Sequence, residues 1–266
     1  MNKIFTKAFL SLIVVILTLS SCKKDPEPDP KPNPIPTPTT GDFMLEFQAR
    51  FGNTNMIFGN QFYYVTSFGD SLQFKTLKYY ITNIKLIGED VPDFAEPESY
   101  HLVENDINKN TLLTIKNVPV GNYKGVEFMI GVDSTRNVSG AQTGALDPAN
   151  GMFWSWNTGY IFFKVEGTYT KNTVRNNLVY HIGGFKNPFN AIQTTELFFP
   201  NGSEKVDGVK TRVAHFYFNF NEMFAGDQGR FDLENIPTEM TISNTAVSIA
   251  NRFKTSLTLS HTHDYE

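Results

Sequence analysis

Asn150-Gly-Met-Phe-Trp-Ser-Trp-Asn-Thr-Gly-Tyr-Ile-Phe-Phe-Lys-Val-Glu-Gly167 holds both tryptophans of the chain and its cleanest alternating segment. From Tyr160 to Glu166, Ile161, Phe163 and Val165 fall on one face. Tyr160, Phe162, Lys164 and Glu166 fall on the other. A period of two is that of a β-strand, whose successive side chains point to opposite faces. If the W-x-W pair is also extended, Trp154 and Trp156 display their indoles to the same side. Core packing, a sugar-stacking platform and an oxidisable group near a redox metal are the three uses of such a pair.

Other candidate strands lie on both sides of this one. They are residues 43–51, 77–86, 100–103, 111–115, 125–131, 177–182, 196–199 and 212–219, punctuated by turn sequences such as Pro119-Val-Gly-Asn122, Gly183-Gly184 and Asp207-Gly208. The chain has 24 phenylalanines, and aromatic residues favour strands. Short strands with frequent turns predict an all-β fold, an antiparallel two-sheet sandwich. One short C-terminal helix is expected over residues 244–254, capped by Ser243 or Asn244.

The N-terminal part reads differently. A basic start with Lys3 and Lys7 precedes an apolar run, Ala8 to Leu19, too short to span a bilayer. Leu19-Ser-Ser-Cys22 follows and resembles a bacterial lipobox. It implies a signal peptide over 1–21 and lipid on Cys22, the only cysteine. Proline occupies every second position from Pro26 to Pro38. Such a segment is an extended spacer, about 50 Å long at about 3.1 Å per residue. The expected organisation is therefore leader, lipidated linker over 22–42 and one domain over 43–266, anchored by lipid in the outer membrane. Lys23-Lys24-Asp25 resembles the surface-export signals of Bacteroidetes-type lipoproteins. Without Lys3 and Lys7, the 23 basic and 27 acidic residues leave a net charge of −6. No basic run stands out, which argues against nucleic-acid binding.

Serine-hydrolase elbows, P-loops, dinucleotide fingerprints and H-E-x-x-H are absent. The histidines remain. In Leu257-Thr-Leu-Ser-His-Thr-His263, read as one strand, Leu257, Leu259, His261 and His263 share a face. Two imidazoles at i and i+2 can chelate one ion, and imidazole suits Cu, Zn, Ni or Fe. The plain alternative is a solvated tail. His181 shares a face with Val179, opposite Tyr180 and Ile182. His215 lies on the more polar face of its strand, with Val213, Tyr217 and Asn219, where exposure is expected. His101 has no suggestive context.

Taken together, several blocks resemble the MbnP-like copper-binding family. They are residues 77–86, 118–133, Gly144-Ala-Leu-Asp-Pro148, the W-x-W-x-x-G-Y block of 150–160, Tyr180-His-Ile-Gly-Gly184 and the terminal His261-Thr-His263. The chain departs from the family pattern at Thr255-Ser-Leu257, where a Met-Phe pair is expected. The resemblance implies an envelope protein that binds copper and is not itself an enzyme. It implies that a tryptophan, Trp154 or Trp156, is oxidised to kynurenine by a partner di-haem cytochrome of the MbnH type, similar to the cytochrome c peroxidases. It makes His181, His261 and His263 the candidate copper ligands, with His215 left open. A surface glycan-binding or adhesive lipoprotein is the alternative; it requires both indoles exposed on a shallow groove and the histidines scattered.

Overall fold

The structure, a computed structural model, describes residues 38–65, 70–105, 111–155 and 158–265. Two sheets pack face to face. In the five-stranded sheet the C-terminal strand Leu257–Asp264 is the edge. Next come Arg212–Asn219 and then Thr40–Phe51, whose far side is paired by Thr54–Asn55 and Thr111–Pro119. The eleven-stranded sheet runs through Gln193–Phe198, Gly121–Ile130, Asp70–Gly88, Gly159–Lys171, Val174–Gly183 and Thr238–Glu239, with shorter strands added to its members.

Most ladders are antiparallel, as the turn spacing predicts. Two among the described residues are not. Thr40–Phe51 runs parallel to Arg212–Asn219, with Phe47 opposite Phe216, and Val174–Gly183 runs parallel to Thr238–Glu239. A parallel pair needs a crossover connection rather than a hairpin. Here the crossover is long: between residues 51 and 212 the chain builds most of the large sheet, and no local pattern signals that return.

The alternation sets the core. Phe43, Leu45 and Phe47 point inward beside Ala214, Phe216 and Phe218, and meet Leu77, Tyr79, Phe128, Phe163 and Val165 of the other sheet, all essentially inaccessible. Phe47 joins the two layers. Its ring stacks on Phe216 at 5.0 Å and stands edge-on to Phe128 at 5.7 Å and Tyr79 at 6.2 Å. Such offset and edge-on geometries add to the area each ring buries.

The other face of Tyr160–Glu166 is buried too at its start. The segment over residues 131–155 crosses the outside of the large sheet and covers Tyr160, Phe162 and Tyr80. The Tyr80 hydroxyl donates to the Ala145 carbonyl at 3.0 Å and that of Tyr160 to the Leu146 carbonyl at 2.8 Å. Gly131, at φ +126°, lies where a Cβ would press on the Phe162 ring at 3.1 Å. Beyond this cover the same face carries Lys164, Glu166 and His181.

The predicted C-terminal helix spans Asn244–Thr255. Ser243 is its cap, the hydroxyl accepting from the Ala246 amide at 3.0 Å. Two shorter α-helices, Ser134–Val138 and Phe220–Ala225, are additional to the expectation. Phe253, on the buried side of the long helix, stacks 3.9 Å from Phe163 and 4.0 Å from Phe218, tying helix and both sheets together. Replacing Phe253 with Ala removes that wedge. The expected cost is about 3–5 kcal/mol, read as a lower urea midpoint at unchanged slope.

Candidate metal centre

Three imidazoles converge on the outer face of the five-stranded sheet. His215 pairs with His261 across the ladder, and Val213 pairs with His263. The ligand-capable atoms of His215, His261 and His263 lie within 4.8 Å of one another. Ring centroids are 5.0 Å apart for His215–His261, 5.4 Å for His261–His263 and 6.3 Å for His215–His263.

A β-bulge produces this arrangement. His261 is opposite His215 but Leu259, not Ser260, is opposite Phe216. Ser260 is the extra residue, and an unpaired residue shifts the pleat by one. The sequence reading put Leu257, Leu259, His261 and His263 on a common face; the bulge divides them. Leu257 and Leu259 pair with Phe218 and Phe216 and face the core. Past Ser260, Thr262 pairs with inward-facing Ala214, so His261 and His263 turn outward to meet His215.

The C-terminal strand is anchored rather than frayed. Asp264 forms ion pairs with Arg212 and with Lys210, the latter at 2.6 Å. The Tyr265 amide donates to the Thr211 carbonyl at 2.9 Å. The Thr262 hydroxyl donates to buried Glu204, which also pairs with Arg212 at 2.5 Å.

His263 is set up to ligate through Nε2. In His263, Nδ1 lies 2.9 Å from the Asp264 carbonyl oxygen. A carbonyl only accepts, so Nδ1 carries the hydrogen and the lone pair is left on Nε2. Nδ1 of His261 lies 3.1 Å from the Ser260 hydroxyl. Such contacts to the second nitrogen fix ring orientation in metal sites. His215, expected to be exposed, has a side chain only 12% accessible. Its Nε2 is buried without a hydrogen-bond partner, which costs free energy in a protein interior unless something binds there. Burial pushes the His215 pKa below its ordinary value. The Glu46 carboxylate, 3.9 Å away, opposes this, while His261, His263 and Arg50 reinforce it. A neutral imidazole with an unused lone pair is the ligand form. The donor set fits a transition ion such as copper or zinc. Nitrogens bound to one ion lie about 2.0–2.1 Å from it, so modest ring rotations would close the observed spacing.

His181 does not join this group. It lies on the outer face of the other sheet, opposite Lys164, and its Nε2 contacts Glu166 Oε1 at 2.8 Å. Packed sheets are themselves about 10 Å apart, so the core separates His181 from the three other rings. Its alternation was read correctly; which sheet that face belonged to was not visible locally. Trp154 is half-buried and lies on the side of His181. Its six-membered ring edge comes within 2.9 Å of where a Cβ on Gly183 would stand. Gly183 follows His181 by two residues, so the two share a face. Lys164 and Lys78 each reach a carbonyl of the segment leading to Trp154, those of Gly151 and Asn150, at 3.4 Å. The Tyr160 carbonyl oxygen is closer still to that Cβ position, at 2.6 Å, so backbone and indole together leave no room for a side chain at Gly183. Trp156 is outside the described residues. His101 is bound to Glu96 at 2.7 Å, with Ser99 on the same carboxylate oxygen.

The family model of MbnP matches residues 40–246. The chain belongs to the MbnP family. A search among curated proteins gives no match. Among solved structures, MbnP from Methylosinus trichosporium is similar at 13% identity over 70% of this chain and 77% of that one, with a TM-score of 0.44. The MbnP match takes in Trp154, His181 and His215 and ends before His261 and His263. The terminal pair therefore stands on its geometry in this chain.

The depressed His215 pKa has a consequence in the metal-free chain. Unfolded histidine takes up a proton near 6.5, and folded His215 does so only at lower pH. Between those values the unfolded state binds more protons. Stability therefore falls as pH drops below about 6.5 and levels off below the folded pKa. Urea midpoints measured in chelator at about pH 7.5 and about pH 5.5 are expected to separate in the native chain and to draw together in His215→Gln.

Proposed function

We propose that this chain is a copper-handling protein of the cell envelope, holding its ion with His215, His261 and His263, and that it is not an enzyme. The convergence of three imidazoles, one with a buried unused nitrogen, is the observation that carries the proposal. Membership of the MbnP family favours copper among the ions that suit imidazole. The basic start, apolar run, Cys22 and proline spacer support a lipid anchor in the outer membrane. All of them precede the first described residue, and no helix among the described residues is long and apolar enough to cross a membrane.

Copper is the cargo, and the chain's residues divide the work. His215 supplies a fixed, neutral donor from beneath. His263 is oriented through its Asp264 contact, and His261 closes the site from the solvent side. Equilibrium dialysis is expected to retain one copper per native chain. His215→Ala, His261→Ala or His263→Ala should abolish retention, and His181→Ala should leave it intact. Copper retained equally by His215→Ala would refute the site.

The finer part of the proposal is oxidation of an indole to kynurenine by a di-haem partner. Trp154 is the described candidate. It lies on the face of His181, across the core from the three imidazoles, so copper loading at the imidazoles does not require it. Co-expression with the di-haem cytochrome, with hydrogen peroxide as the oxidant, is expected to open the indole of Trp154 with two inserted oxygen atoms and, on hydrolysis, to release the formyl carbon as formate; the net gain of one oxygen and loss of one carbon is read by peptide mass. An unchanged Trp154 peptide counts against this part alone. The glycan-binding reading is less favoured, because Trp154 is packed against Gly183 and three of the five histidines are gathered rather than scattered.

A further inference from the structure

We infer that an ion held by His215, His261 and His263 keeps one coordination position open to the adjoining groove, where a donor from outside the chain binds it. This rests on the copper-site reading above and adds how the cargo enters and leaves.

The donor count is the first observation. No described aspartate, glutamate or cysteine joins the group of three imidazoles. Glu46 comes to 3.9 Å from His215 Nε2 but is not among the donors that converge together on His261 and His263 as well. Asp264 is engaged by Lys210 and Arg212, and Arg212 in turn by Glu204. Its side chain is therefore held in place rather than free to swing onto an ion. Sites with four protein ligands are closed and structural, whereas those with three leave a position for water or an incoming group.

The second observation is the space in front of the rings. A groove of about 890 Å³ is lined by His261 and His263 together with Glu46, Leu112, Val213 and Tyr265. His215 is buried behind, so the groove is the approach left to an ion and to anything that follows it. An incoming monodentate donor, nitrogen or anionic, would displace water from the open position before any imidazole lets go. Exchange by that route suits delivery to a carrier better than permanent storage.

Azide is the probe. The purified full chain is loaded with Cu(II) and titrated with azide, followed by absorption and electron paramagnetic resonance. A saturable charge-transfer band and an altered copper signal are expected, with copper still bound. Copper bound but indifferent to azide would overturn the inference and leave the copper site standing. Copper that fails to bind at all would remove both. Glu46→Gln supplies the second measurement: copper affinity is expected to fall by about tenfold or less, as for a group outside the ligand set. A fall of more than about a hundredfold, with azide binding gained, would make Glu46 the fourth ligand and close the site.

Discussion

One extra residue, Ser260, determines what the C-terminal strand presents. Upstream of it, Leu257 and Leu259 face the aromatic core opposite Phe218 and Phe216. Downstream, the pleat is inverted and two imidazoles face solvent. Without the bulge, a strict period of two would press His261 and His263 onto the core side beside Leu259. There they would have to be buried among Phe216 and its neighbours, at the desolvation cost of polar groups lacking partners. Core packing and a chelating surface are incompatible on a single face, and the inserted residue separates them.

The rest of the site depends on pairings remote in sequence. His215 reaches the terminal pair because Arg212–Asn219 is the neighbour of the C-terminal strand. That strand is in turn locked to Thr40–Phe51 by a parallel ladder. The ladder places Glu46 directly beside His215, which is why its carboxylate opposes the effect of burial and of the neighbouring imidazoles and Arg50 on that ring. Arg50, stacked over Tyr217 at 3.7 Å, roofs the neighbouring position, and the Tyr217 ring in turn lies 4.8 Å from that of His215. His215 is therefore buried on a face whose pattern reads as exposed: Glu46 and His261 on the two neighbouring strands add to the cover given by Tyr217 of its own strand.

That explains how far the sequence could be read. Strand positions and faces were legible wherever apolar and polar residues alternated, as from Phe163 to Glu166 and from Leu178 to Ile182, because the same side chains that signal the period fill the core; the register shift between Ile161 and Phe163 left no such sign. The N-cap of the last helix was legible from Ser243. The parallel return at Arg212 was not, since parallel pairing leaves no turn signature. The bulge was not, since Ser260 is as acceptable in a regular edge strand as in a bulge. His215 could have been suspected only from Val213-x-His-x-Tyr217, a polar group flanked on its own face by large side chains. The family likeness gathered His181 with the terminal pair, because likeness orders motifs along the chain and carries no information on which sheet each one faces.

The position of the imidazoles at a sheet edge follows from two demands on the same strand. An edge strand offers unpaired backbone groups to any other extended chain. A bulge and a charged end discourage such pairing, and the Leu257–Asp264 strand has both in Ser260 and Asp264. On the proposed reading, an exchangeable ion also needs an open approach, which the groove beside this strand supplies. The bulge answers both: it twists the strand away from unwanted pairing and turns His261 and His263 outward over a buried, already neutral His215. The Trp154 neighbourhood has neither property, being covered by the crossing segment and closed against Gly183. The two faces of the sandwich thus differ in access: one turns two imidazoles toward an open groove, and the other holds a half-buried indole against Gly183.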